Sequence, residues 1–244
     1  MTKTLSVKII VGLIIFSCLS GNLYAQSNIE SDKVLSTKQQ SIIPIAAYTA
    51  KGELQHLKPA LNEGLDAGLT INEIKEVIVH LYAYCGFPRS IRGLQTFMEV
   101  LDEREAQGIN DETGPEASPI SDERGKYERG KENLEKLIGR PLTGPKKGYA
   151  AFAPVIEKFL KEHLFADIFE RDILTYAERE LVTISVLSSI GGVEPMLHSH
   201  LTICLHLGLT PEQLNEFVGI IESTAGEKEA KDARAVLGEV LKNR

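Results

Sequence analysis

Apolar side chains recur with the period of an α-helix along most of the chain. In one stretch they stand at positions i, i+3, i+4 and i+7, as Ile74, Val77, Ile78 and Leu81 do. This spacing places them on one face of a helix. No segment alternates apolar and polar residues over enough positions to form a sheet. The sequence therefore predicts an all-α fold.

The helical pattern occurs twice, with a constant separation between the two copies. Aligning Gly68-Leu69-Thr70 with Gly208-Leu209-Thr210 sets the offset at 140 residues. The same offset aligns further pairs: Leu57 with Leu197, Leu61 with Leu201, Leu65 with Leu205, and Glu76 with Glu216. In each copy a helix ends at the glycine, and the threonine caps the next helix. The chain is therefore an internal duplication of a helical hairpin.

Further helices are expected on both sides of each hairpin. They are predicted at 41–50 and 88–106 in the first copy, at 176–190 and 228–242 in the second, and at 124–138 and 151–163 between the copies. Residues 108–123 contain two Pro and two Gly without periodicity, which is typical of a linker. The predicted organisation is a first unit at 26–107, the linker, and a second unit at 124–244, with the two units related by a pseudo-two-fold axis.

The first 25 residues have the features of an export signal. Lys3 and Lys8 precede an apolar run from Ile9 that is too short to span a bilayer stably, and Ala25 offers a small residue at a cleavage point. We expect a periplasmic or secreted protein without membrane contact after cleavage. A lipid anchor at Cys18 is the alternative.

The charge balance argues against nucleic acid as a partner. The chain has 27 Lys and Arg against 34 Asp and Glu. Removal of the signal takes away two lysines, which leaves 25 basic and 34 acidic residues and a net charge of −9. Because no basic excess is available to neutralise phosphates, we expect no nucleic-acid binding.

Two cysteines remain after the signal, Cys85 and Cys204. Both lie inside apolar helical patterns, where a free cysteine behaves as a small buried hydrophobe. A chain of this size does not need a disulfide for stability, so we expect no bond between them.

Four short segments carry a distinctive combination of residues. They are RELVT at 179–183, LHSHL at 197–201, GLT at 208–210 followed by Glu216, and HLYAYCGFP at 80–88. This combination resembles the carboxymuconolactone decarboxylase-like proteins, which share a helical fold with the alkylhydroperoxidase D proteins. The resemblance implies duplicated helical-hairpin units of the alkylhydroperoxidase D type, a small-molecule substrate, and assembly into a homo-oligomer such as a trimer of two-unit chains.

The resemblance also implies which residues form the site. In the family one unit carries an acidic residue and a His early, then a His and a Tyr-x-Gly-x-Pro late. Here the second unit keeps the early pair, Glu180 and His200, and the first unit keeps the late pair, His80 and Tyr84. The 140-residue offset places Ala60, Ile220 and Thr224 opposite His200, His80 and Tyr84. We therefore expect one composite catalytic site formed by Glu180, His200, Tyr84 and His80.

A second departure from the family concerns redox chemistry. The peroxidase branch carries a Cys-x-x-Cys ahead of the His, and the matching positions hold Val193 and Met196. Because this place lacks a redox pair, acid/base chemistry on a small organic acid or lactone is the first hypothesis. A peroxidase that uses Cys85 or Cys204 is the alternative.

Structural interpretations of the same residues remain open. Glu180 can interact with the helix dipole and Arg179, and His200 can be a satisfied core histidine. Glu76, His80 and Tyr84 step by four and can form a ladder on a helix surface. In that case the chain is a non-catalytic helical binding module.

The sequence predicts neither a metal nor a cofactor. His198 and His200 stand two residues apart, so they do not share a helix face, and we expect His198 to face solvent or an interface. No phosphate-binding loop or dinucleotide fingerprint is present.

Overall fold

The computed structural model describes residues 34–243, and every regular element within them is helical. The helices are α1 (Thr37–Lys51), α2 (Leu54–Asp66), α3 (Ile71–Ala106), α4 (Lys126–Ile138), α5 (Tyr149–Phe152), α6 (Pro154–Phe159), a π-helical segment (Leu160–Ile168), α7 (Tyr176–Ile190), α8 (Glu194–His206), α9 (Pro211–Thr224) and α10 (Glu227–Lys242). The all-α prediction is confirmed. The predicted export signal lies outside the described residues.

The helices of the hairpins begin where the sequence predicts. Thr70 and Thr210 cap α3 and α9, and each hydroxyl accepts from the backbone N–H three residues later, at Glu73 and Gln213. The side chains of Glu73 and Gln213 accept from the threonine N–H groups in return. The glycines two residues before each threonine have φ of 91° and 99°. These local signals fix the turns.

Helix α3 bends sharply at Gly86, where φ is 81° and ψ is 160°. Only glycine adopts this backbone conformation at low cost, and Pro88 then begins the second part of the helix. The second unit has the same break at Gly226, between α9 and α10, with φ of 124° and ψ of 166°. The helix predicted from residue 88 therefore begins directly after this break.

The packing of the helices is reciprocal between the two units. Helix α1 packs on α7, its own equivalent in the other unit. Helix α3 of the first unit also packs on α7 of the second unit. In the equivalent contact, α9 of the second unit packs on α1 of the first. Helices α2 and α8 begin 140 residues apart, at Leu54 and Glu194. This arrangement is that of a pseudo-two-fold axis between α1 and α7.

The two units share one apolar core. A single cluster contains side chains from Leu35 to Val240, including Ile45 and Ile78 of the first unit and Val186 and Phe217 of the second. A smaller cluster lies where α4 packs on the π-helical segment, and it consists of Leu137, Leu164, Phe165, Ile168, Phe169 and Ile203. The units are therefore halves of one packed structure.

Two connecting segments differ from simple expectations. The single helix predicted at 151–163 is wrong, since α5 ends at Phe152 and α6 begins at Pro154, whose missing N–H suits a first helical position. Residues 108–123 contain no helix, and they are hydrogen-bonded to α3. The side chain of Asn72 donates to the carbonyls of Gly114 and Pro115, both at 3.1 Å.

Within residues 34–243, none of the helices combines the length and the apolar character needed to cross a bilayer.

The bend at Gly86 gives a prediction about stability. A Gly86→Ala variant should lower the free energy of unfolding by about 1–3 kcal/mol, because alanine is strained at this φ and ψ. An added Cβ would only touch Pro88 at 3.5 Å, so the cost comes from the backbone. Urea denaturation measures the change. Gly219→Ala in α9 is the matched control, since its Cβ meets open space. The prediction is wrong if both variants are equally stable.

Candidate active site

Glu180 and His200 form a hydrogen-bonded pair between neighbouring helices. Glu180 lies in the second turn of α7, and its side chain is 0% exposed. His200 lies in α8, with Nδ1 2.7 Å from Oε2 of Glu180 and with 15% of its side chain exposed. Because Nδ1 faces the carboxylate, Nε2 is the imidazole nitrogen that remains for a ligand.

The charge of Glu180 controls the protonation of His200. Burial by itself lowers the pKa of His200, but the negative charge and the hydrogen bond of Glu180 outweigh it and raise the pKa above the usual value. The second oxygen of Glu180, Oε1, is buried without a hydrogen-bond partner in the part of the chain that the structure describes. The pair can therefore hold a proton between Nδ1 and Oε2, while Oε1 can still accept a hydrogen bond from a donor group of a ligand.

Tyr84 and His80 of the first unit reach this pair. The ring of Tyr84 lies edge-on to His200, with centroids 6.4 Å apart, and stacks on His80 with centroids 5.3 Å apart. Burial and the charge of Glu180 raise the pKa of Tyr84, so the phenol stays protonated and can donate. The structure therefore brings the four predicted site residues together. Their catalytic role stays a prediction.

Thr183 joins the two units inside the site. Its hydroxyl oxygen lies 2.9 Å from Nε2 of His80. The hydroxyl can donate to the Tyr84 oxygen at 3.2 Å or to the Arg179 carbonyl at 2.9 Å. A hydroxyl has one hydrogen to donate. When Thr183 donates to Tyr84, the phenol keeps its own hydrogen for a ligand.

A buried ion pair orients His80. Arg179 donates from Nη2 to Oε1 of Glu76 at 2.7 Å, and its Nη1 lies 3.3 Å from Nδ1 of His80. Because a guanidinium only donates, Nδ1 of His80 accepts and the ring proton sits on Nε2, which faces Thr183. Burial and the charges of Arg179 and His200 lower the pKa of His80 well below its usual value. His80 is therefore a neutral hydrogen-bonding group.

Two of the structural interpretations drawn from the sequence are wrong. Glu180 does not pair with Arg179, because Arg179 turns toward Glu76 and Glu180 turns toward His200. Glu76 and His80 do not form a surface ladder, since both are buried. Their common helix face points into the contact between the units. His198 is half-buried and lines a separate surface cavity of about 240 Å³.

Sequence reasoning missed the parts that Arg179, Thr183 and Arg171 play. Arg171 donates from Nε to Glu76 at 2.9 Å, so Glu76 sits between two guanidinium groups. The spacing of four between Arg179 and Thr183 was a usable signal, because it places both on the face of α7 that meets α3. Nothing local pointed to Arg171, which precedes α7 in the chain.

The two cysteines are free thiols, as predicted. Cys85 is half-buried and donates to the Leu81 carbonyl at 3.2 Å, while Cys204 is fully buried. Burial raises the pKa of both thiols, and the charge of Glu180 raises that of Cys204 further. A raised pKa disfavours the thiolate that peroxide chemistry requires.

The equivalent position in the other half of the molecule is built differently. The 140-residue offset matches Glu180 with Gln40, whose side-chain amide donates to Glu216 at 2.8 Å. Ala60, Ile220 and Thr224 stand opposite His200, His80 and Tyr84, and these smaller or apolar side chains line an open cavity of about 310 Å³. The pair of Glu180 and His200 thus has no counterpart there.

Among the described residues, no three His, Cys, Asp or Glu side chains come close enough together to hold a metal ion. The site consists of one carboxylate, two imidazoles and one phenol.

Comparison with known proteins identifies the family of this chain. The chain is similar to the uncharacterized protein MJ1511 of Methanocaldococcus jannaschii, with 29% identity over 75 residues, which is 31% of this chain and 70% of the relative. A family model described as the carboxymuconolactone decarboxylase family matches residues 22–97 and 154–239, one stretch in each unit. The chain belongs to the carboxymuconolactone decarboxylase family.

Proposed function

We propose that this chain is an exported enzyme that carries out acid/base chemistry on a small organic acid or lactone, with Glu180 and His200 as the acid/base pair. The observation that supports the proposal most directly is the 2.7 Å contact between Nδ1 of His200 and the fully buried carboxylate of Glu180. A buried carboxylate behind an imidazole orients the ring and stabilises its protonated form, which is the arrangement that general acid/base catalysis uses.

The proposed step moves one proton between the ligand and His200. Nε2 accepts a proton from a C–H or O–H group of the ligand, and Glu180 stabilises the imidazolium cation that forms. The electron pair left on the ligand is delocalised onto its oxygen, where the Tyr84 hydroxyl donates a hydrogen bond. Return of the proton from Nε2 to another ligand atom restores neutral His200. The proton therefore moves only between the ligand and the imidazole, the phenol keeps its own proton, and the step needs no redox partner.

Tyr84 and His200 should act as a unit. In a screen of lactones, keto acids and hydroperoxides, His200→Ala is expected to reduce kcat/KM for the active compound by about 100-fold or more. Tyr84→Phe should cause a loss of about 100-fold. The double variant should lose little more than the worse single variant, because groups that act together are non-additive.

His198→Ala is the matched control for this series. His198 lies two residues from His200 on another face of α8 and should leave turnover unchanged. Circular dichroism verifies that each variant keeps its helices. Full activity in the His200→Ala variant would rule out the proposed role of the pair.

The raised pKa of His200 predicts how stability depends on pH. His200 binds its proton more tightly in the folded protein than in the unfolded chain. Its contribution to the free energy of unfolding is therefore complete at a pH below the pKa of the unfolded state. This contribution is lost as the pH rises through the pKa of the folded state. In the Glu180→Gln variant the charge that raises the pKa of His200 is gone, and burial lowers this pKa below its usual value. The contribution of His200 to the free energy of unfolding then changes sign. Each unit of difference in pKa corresponds to about 1.4 kcal/mol.

Urea denaturation across neutral pH, with NMR titration of the imidazole, tests this expectation. His200→Gln removes the imidazole, so the part of the pH dependence that His200 contributes should be absent in this variant. The same titration curve for His200 in the parent and in Glu180→Gln would contradict the assignment.

Thiol chemistry should be dispensable. A variant with Cys85→Ser and Cys204→Ala should keep the parent's turnover within about twofold, because burial holds both thiols in the protonated form. Alanine is used at position 204 because a hydroxyl there would be buried. Loss of turnover with unchanged helicity would instead support a cysteine-based peroxidase.

A further inference from the structure

Thr183 is a fully buried residue at the contact between the two units. It lies in α7, and its hydroxyl oxygen reaches two groups of α3, Nε2 of His80 at 2.9 Å and the hydroxyl oxygen of Tyr84 at 3.2 Å. The carbonyl oxygen of Arg179, one turn earlier in α7, lies 2.9 Å away. A threonine hydroxyl donates one hydrogen bond and accepts two. The three neighbours therefore use the whole hydrogen-bonding capacity of this hydroxyl.

His80 occupies one of the two accepting positions of Thr183. Nη1 of Arg179 lies 3.3 Å from Nδ1 of His80, so Nδ1 accepts a hydrogen bond and Nε2 carries the hydrogen of the neutral ring. Nε2 therefore donates to Thr183 whether or not a ligand is bound. One accepting position and one hydrogen of Thr183 are left for Tyr84 and the Arg179 carbonyl.

These remaining hydrogen bonds have two possible arrangements. In the first, Thr183 donates to the Arg179 carbonyl and accepts from the Tyr84 hydroxyl, so every one of these groups is satisfied without a ligand. In the second, Thr183 donates to the Tyr84 oxygen, and the phenol hydrogen is available to a ligand. The Arg179 carbonyl does not depend on the hydroxyl, because a regular α-helix already supplies it with a backbone donor. A ligand atom that accepts from Tyr84 therefore favours the second arrangement.

The other half of the molecule shows what this place looks like without polar groups. The 140-residue offset places Ile43 opposite Thr183 and Ile220 opposite His80. Ile43 is fully buried, as Thr183 is. The packing of the two units therefore does not require the hydroxyl or the imidazole.

We propose that Thr183 is a positioning residue of the candidate active site, whose hydroxyl turns from the Arg179 carbonyl to Tyr84 when a ligand oxygen takes the phenol hydrogen bond. No covalent bond changes in this step, because only the O–H bond of Thr183 rotates. His80 holds the hydroxyl oxygen of Thr183 and is likewise a positioning residue. The inference rests on the proposed function in one respect, which is that Tyr84 donates to an oxygen of the ligand.

The second arrangement strengthens the hydrogen bond from Tyr84 to the ligand. A hydroxyl that accepts a hydrogen bond becomes a better donor, because the hydrogen bonds along such a series polarise one another. Negative charge that develops on the ligand oxygen is therefore stabilised more by Tyr84 with Thr183 than by Tyr84 alone.

A set of variants at position 183 tests the inference by kinetics. Thr183→Val removes the hydroxyl and keeps the branched shape, and it should lower kcat about tenfold with little change in KM, as expected for the loss of one hydrogen bond in the transition state. Thr183→Ser keeps the hydroxyl and should recover kcat to within about threefold of the parent. In the Tyr84→Phe background, Thr183→Val should cause no further loss, because Thr183 acts through Tyr84.

Ile43→Val is the matched control, since it changes the equivalent buried position of the other half, and it should leave kcat unchanged. The inference is wrong if Thr183→Ser is as impaired as Thr183→Val, because the shape of the side chain and not its hydroxyl would then matter. It is also wrong if Thr183→Val lowers turnover equally with and without the Tyr84 hydroxyl.

NMR tests the same hydrogen bonds without turnover. In the parent, the imidazole nitrogens of His80 should show the neutral ring with its hydrogen on Nε2 at neutral pH. The ¹³C signal of Tyr84 Cζ, which responds to the hydrogen bonding of the phenol, should move in Thr183→Val and not in Ile43→Val. A hydrogen on Nδ1 of His80, or a Tyr84 signal that Thr183→Val does not move, would overturn the inference.

These results separate the inference from the proposed function. If His200→Ala lowers turnover and Thr183→Val does not, the acid/base pair stands and the role of Thr183 is wrong. If both NMR results are as expected while His200→Ala keeps full activity, the proposed function is wrong and the hydrogen-bond arrangement of Thr183 stands.

Discussion

Helix α7 is buried on all sides, and it carries two adjacent charged residues into the core. Arg179 and Glu180 follow each other in the chain, so their side chains leave the helix in different directions and cannot satisfy each other. A buried charge without a partner costs several kcal/mol. Each therefore needs a partner from a neighbouring helix, and Glu76 of α3 and His200 of α8 fill these two places. The position of both helices against α7 is coupled to these pairs.

The two halves show that one fold can hold this arrangement or do without it. At the pseudo-symmetric place in α1, Gln40 brings an amide where α7 brings the carboxylate of Glu180. The amide is satisfied by Glu216 and by the Leu35 carbonyl. At this place α1 brings no charge into the core, and Ala60 stands where α8 has His200. The packing of the hairpins therefore does not require the charged pairs that surround α7.

The parts of the structure that depend on neighbours in sequence were predictable, and the rest were not. The Thr70 and Thr210 caps and the break at Gly86 arise from the residues on either side of them. The meeting of Glu180 with Tyr84 was inferred from a resemblance and from complementary losses in the two copies. The ion pair of Arg179 with Glu76 joins residues 103 positions apart, and no periodicity specifies such a contact. Periodicity could not predict the packing of residues 149–159, because Glu157 is buried there while the large apolar side chains are exposed.

The reciprocal packing of α1 and α7 has a consequence for how the chain is made. The apolar face of α1 is covered by a helix that is encoded about 140 residues later. At a ribosomal rate of about 5–20 residues per second, the first hairpin waits roughly 10–30 s for this partner. During that interval the face of α1 that meets α7 in the finished protein has no partner. The first half of the nascent chain therefore cannot complete its core until α7 has been made.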